Sequence, residues 1–68
     1  MVDVVLLKQE IDDLGIPYIT LAEKCGVTRQ TISNWLANPE LISATNAKKL
    51  ADALRITDSE KLLSIFFA

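Results

Sequence analysis

Sixty-eight residues, half of them hydrophobic, suffice for one small core and exclude a second independent one. The absence of histidine removes the commonest general base and metal ligand, and only two glycines, Gly15 and Gly26, leave nothing for a glycine-rich phosphate loop. Seven basic residues against nine acidic ones give a formal net charge of −2, which argues mildly against a nucleic-acid protein, because phosphate binding draws on Lys and Arg.

The distribution of charge softens that objection. Residues 1–17 carry Lys8 against Asp3, Glu10, Asp12 and Asp13, whereas residues 18–39 carry Lys24 and Arg29 against Glu23 alone. The middle of the chain is therefore depleted in acid. Cys25, the single cysteine, cannot form an internal bridge and falls on an apolar helical stripe, as expected of a free thiol in a reducing cytoplasm. No apolar run approaches the roughly 18 residues that cross a bilayer. The start, MVDVVLLK, lacks the basic region of a secretory signal. These features lead us to expect a soluble cytoplasmic protein with no membrane partner.

From about residue 3 to residue 14, Val4, Leu7, Ile11 and Leu14 recur at helical spacing, with Lys8, Gln9, Asp12 and Asp13 on the other side. Gly15 follows as a natural helix terminator. Pro17 suits the first position of a second helix, where its missing N–H is no loss. That helix extends to about Cys25, with Leu21, Ala22 and Cys25 on its apolar side. Gly26 then turns the chain, and Thr28 caps a third helix ending near Ala37, with Val27, Ile32, Trp35 and Leu36 directed inward. Asn38-Pro39 stops it. Ser43 is expected to cap a fourth helix burying Ala47, Leu50, Ala51 and Leu54. Thr57-Asp58-Ser59-Glu60 matches a capping box for a fifth, with Glu60 reaching back to Thr57. No strand pattern, repeat or low-complexity linker is evident, so the fold class is all-α: five compact helices in one domain spanning residues 1–68.

Chemistry-bearing clusters are scarce. Glu10, Asp12 and Asp13 resemble paired carboxylates only in sequence, because adjacent helical positions point apart and form a solvated face. Cys25 lacks a neighbouring base that would make it a nucleophile. Neither catalysis, nor a metal or other cofactor, nor a small-molecule substrate finds support. Residues 18–37, in contrast, read as two short helices joined by a glycine turn, the layout whose second helix can enter a DNA major groove. Spacing alone leaves an ordinary helical hairpin as an equal alternative.

The stretch LAEKCGVTRQTISNWLANPE, followed by KKLADALRIT, resembles the lambda-repressor-like, Cro-type helix-turn-helix proteins of phages and bacteria. The resemblance covers about residues 11–57. The tail ITDSEKLLSIFFA is similar to that of short prophage-encoded regulators of Gram-positive bacteria. The resemblance implies a compact five-helix fold, double-stranded operator DNA as partner, and base contacts from Arg29, Gln30 and Asn34. Arg pairs bidentately with guanine, and Gln or Asn with adenine. Thr28, Thr31, Ser33 and Tyr18 are implied on the DNA backbone, with Lys48 either beside the phosphates or simply solvated. The family often opens its second helix with Ser-Gln and follows the third with Gly; here Pro17-Tyr18 and Asn38 stand instead. Tyr18 can offer its hydroxyl to a phosphate or pack inward.

Ile65, Phe66 and Phe67 are consecutive, about 100° apart on a helix, so one face cannot bury all three. The family's two-fold operators make a homodimer contact the first expectation for them, and folding back onto helix one the alternative. The functional expectation is thus a Cro-like transcriptional repressor of prophage type. A protein-binding modulator on the same fold, acting on another repressor, is the second reading.

Overall fold

A computed structural model describes residues 1–67; Ala68, the last residue of the expected 57–68 helical segment, lies outside them. Five α-helices and one 3₁₀ turn make up the described residues: α1 (Val4–Leu14), α2 (Tyr18–Cys25), α3 (Arg29–Ala37), the turn Pro39–Leu41, α4 (Ala44–Ala53) and α5 (Ser59–Phe66).

Local chemistry sets most of these boundaries. The Asp3 carboxylate accepts the Val5 and Leu6 N–H groups at 3.1 and 3.2 Å, satisfying two donors that α1 itself leaves unpaired. Gly15 closes α1 at φ +66°, and Gly26 closes α2 at φ +72°, both in the left-handed region that glycine enters without steric cost. Thr28 and Ser43 cap α3 and α4 through their hydroxyl oxygens. Pro17 sits one position earlier than expected, as the residue before α2 rather than its first. Asn38 meets the missing glycine differently. It stays at φ −135° and the chain continues into the 3₁₀ turn, so no left-handed residue is needed there.

The capping box expected from Thr57 does not form. Asp58 caps α5 instead, its carboxylate accepting the Glu60 N–H at 3.0 Å, and the helix begins one residue later than Thr57 would dictate. A carboxylate carries a full charge toward the positive end of the helix, which favours it over the neighbouring hydroxyl. α4 ends less conventionally. Arg55 takes the left-handed position at φ +56°, where the Ile56 and Arg55 N–H groups reach the Ala51 and Asp52 carbonyls at 3.0 and 3.1 Å.

The core is shared by all five helices. Leu7, Ile11, Leu21, Ile32 and Leu50 are essentially inaccessible, and Trp35 and Phe66 complete the aromatic part. α2 packs on both α3 and α4, while α1 packs on α5. Leu14, placed on the inner stripe by spacing, is instead half exposed because α1 is ending there. The Asp3 N–H bonds to the Ile65 carbonyl at 2.6 Å and Lys61 pairs with Glu10, so the two ends of the chain lie together.

The α5 end corrects one expectation. Ile65 and Phe66 were expected at a surface available to a second subunit, yet they are 2% and 4% exposed within their own chain. α5 packs on α1, and Phe66 also meets Ala44, Ala47 and Ala51 of α4. Only Phe67 of the three is bare, at 64%, as the 100° step requires.

Candidate nucleic-acid interface

α3 divides cleanly into two faces. Ile32, Trp35 and Leu36, three and four positions apart, fix the inner one, so side chains one or two positions from them, such as Gln30 and Asn34, are turned outward. Arg29, Gln30 and Asn34 are exposed on that outer face, with Ser33 and Thr31 half-buried at its edges. Gly26 and the Thr28 cap determine where α3 starts, and therefore that Arg29 and Gln30 occupy its first turn.

Side-chain bonds order this face before any partner arrives. Gln30 Nε2 donates to Asn34 Oδ1 at 3.0 Å across one helical turn, which restrains both amides. Gln30 keeps its carbonyl oxygen and Asn34 its amide protons for other partners. Thr28 Oγ1 accepts the Thr31 N–H at 3.2 Å and lies 3.0 Å from the Thr31 hydroxyl. These two hydroxyls are thus tied into the start of the helix. Arg29 makes no ion pair among the described residues and is the only charged residue of α3. The outer face is therefore polar, nearly neutral, and supplied with both donors and acceptors.

The other expected contacts are placed less uniformly. Tyr18 opens α2 half-buried, its ring packed against the core, which favours the inward alternative for most of the side chain. Lys48 is exposed on α4 and borders a hollow shared with Phe66 and Phe67. The structure thus groups Lys48 with the end of α5.

A second set of cations escaped sequence reasoning. Lys24, Lys49 and Arg55, with the carboxylates Glu23 and Asp52 among them, border one hollow with Cys25, although they are widely separated in the chain. They gather because α2 packs on α4 and both helices end there; basic side chains suit the carbonyl ends of helices. No periodic signal links positions 24, 49 and 55, so only the helix pairing reveals the group. Burial pushes the Cys25 thiol above its ordinary range, and the Lys49 ammonium offsets part of that rise. The thiol is thereby kept protonated and unreactive near neutral pH. Among the described residues no His, Cys, Asp or Glu cluster is arranged to hold a metal ion, and no helix is long and apolar enough to cross a membrane.

A family model described as helix-turn-helix matches residues 7–61, which include α1 from Leu7 onward, all of α2, α3 and α4, and the start of α5. Comparison with curated proteins and with solved structures returned no match. The two helices around Gly26, the exposed polar face of α3 and this match over most of the chain agree. The chain belongs to the lambda-repressor/Cro-like helix-turn-helix family, and with it to the DNA-binding transcription regulators.

Proposed function

We propose that this protein is a sequence-specific repressor of the Cro-like, prophage-encoded kind, binding a two-fold operator as a homodimer in the cytoplasm. α3 lies in the major groove, with Arg29, Gln30 and Asn34 at base edges. Thr28, Thr31 and Ser33 lie along the backbone, joined by the Tyr18 hydroxyl. Two-fold related half-sites are then about 34 Å apart, or a multiple of that.

The observation that carries this reading is the outer face of α3: three exposed side chains able to read bases, two of them already held by the Gln30–Asn34 bond. Arg29 matches the acceptor pair of guanine, and the amides match adenine. A net charge of −2 gives little general attraction to phosphates, so discrimination rests on these few contacts.

The test is selection of bound duplexes from a random pool, followed by titration of the selected site over a salt series. Arg29→Ala should weaken binding to that site by on the order of 1–3 kcal/mol and relax preference at one base pair. The same affinity and preference in a folded Arg29→Ala protein would overturn the reading.

A further inference from the structure

A groove of about 390 Å³ runs along the seam where α1 packs on α5. α1 lines it from Leu6 to Asp13, about 10 Å or two helical turns. Half-buried Leu6 and buried Ile65 give it an apolar floor, and Glu10, Asp13, Asp58 and Glu60 stand around it. Four carboxylates against the single ammonium of Lys61 leave a local charge of −3. Folding explains part of that charge: Asp58 caps α5, and Glu60 lies in its first turn, where the positive end of the helix favours an acid. Asp13 has no such reason to be there. It sits beside Asp12 in the last turn of α1, where the carbonyl end of the helix disfavours a carboxylate, and it pairs with no cation among the described residues. A local choice that opposes the fold marks a position used for something else.

We infer that this α1–α5 groove docks a basic amphipathic helix of another protein, which lays an apolar side chain on Leu6 and its cations against Asp13 and Glu60. Lys61 shows the fit. Its ammonium reaches across the seam to the Glu10 carboxylate at 3.3 Å, so a charged head on a flexible apolar stem already belongs in the groove. Charge complementarity selects the occupant. A local charge of −3 repels nucleic acid and acidic chains alike. A second copy is unsuited too, because no two of the seven basic residues are three or four positions apart, and no helix of this chain therefore offers a basic stripe. A two-turn groove buries less than the roughly 1,200 Å² of a stable interface, so the contact is weak, exchanging and loosened by salt. α3 packs on α2 and on the 3₁₀ turn, whereas the groove belongs to the α1–α5 pair, which leaves it open while α3 faces DNA.

Titration of the nitrogen-15-labelled full chain with a capped peptide of about 14 residues, carrying Lys at every third or fourth position beside Leu, tests this. Amide shifts should be confined to residues 6–13 and 58–65, with a dissociation constant that rises with salt. Asp13→Lys and Glu60→Gln should each weaken the peptide by about threefold, and the double variant by about tenfold. Both positions are exposed, and circular dichroism verifies that the variants fold. Glu23→Gln, on α2, should leave binding unchanged. No shift at millimolar peptide, equal binding by a peptide with the same lysines scattered around the helix, equal binding by spermine, or indifference to both groove substitutions would each overturn the inference. So would shifts of the same residues on concentrating the protein alone, which would assign the groove to a second copy. Arg29→Ala should bind the peptide as the wild type does, so failure here and failure of the DNA reading are told apart.

Discussion

Replacing Phe66 or its neighbour Phe67 by alanine gives the sharpest test of how the chain end is used. Phe66 is 4% exposed and Phe67 is 64% exposed, so adjacent, chemically identical changes act on opposite sides of the boundary between core and solvent. Truncating a buried Phe costs about 3–5 kcal/mol through lost apolar transfer and the cavity left behind. A 68-residue chain at roughly 0.05–0.15 kcal/mol per residue has about 3–10 kcal/mol in total. Phe66→Ala therefore removes between a third and all of it. Phe67→Ala, at a surface position, should stay within about 0.5 kcal/mol. Urea titration followed by the fluorescence of Trp35, the single and buried tryptophan, reads both. With a slope of about 1 kcal/mol per molar, Phe66→Ala should lower the midpoint by roughly 3 M or leave no folded baseline, and Phe67→Ala by no more than about 0.5 M. Phe66→Leu keeps most of the apolar volume and should fall between them, which keeps the test readable if the alanine variant does not fold. Equal midpoints for Phe66→Ala and Phe67→Ala at low protein concentration would refute the burial of Phe66 within its own chain.

Two further outcomes follow from the helix ends and the buried thiol. Arg55→Gly relieves a left-handed residue at the end of α4, worth about 1–2 kcal/mol, against about 0.4–1 kcal/mol of added freedom in the unfolded chain. The net gain of about 0.5–1 kcal/mol should raise the melting temperature by a few degrees, on the order of 2–8 °C; a lower value would show that the Arg55 side chain holds the turn. Cys25 is held protonated by burial, so its contribution to stability is present below the ordinary thiol range and is lost as pH rises through the raised folded value. Stability of the wild type should therefore decline more steeply than that of Cys25→Ala above about pH 8.5, and identical pH profiles would remove the effect.

The helices themselves were legible because their signals are local. Thr28 and Ser43 cap by hydrogen bonds to residues three positions away, and Gly15 and Gly26 terminate by their own backbone freedom. The inner stripe of α3, Ile32, Trp35 and Leu36, likewise dictates which of its side chains face out, while the family resemblance is what singled out Arg29, Gln30 and Asn34 among them. Where two caps competed, as at Thr57 and Asp58, the pattern misjudged the start of α5 by a residue, because the stronger carboxylate cap took precedence.

What tertiary structure alone decided was which apolar and charged residues meet across helices. Periodicity marks Ile65, Phe66 and Phe67 as apolar without saying what covers them; the packing of α5 against the rest of the chain buries two and leaves the third. It likewise cannot bring Lys24, Lys49 and Arg55 around Cys25, or Lys48 beside Phe67, since those neighbours are set by how α2, α4 and α5 cross. A helix fixes the directions of its own side chains through a regular backbone, so a face can be read from spacing. The identity of the surface opposite that face depends on contacts distant in sequence, and there the fold of the whole chain decides.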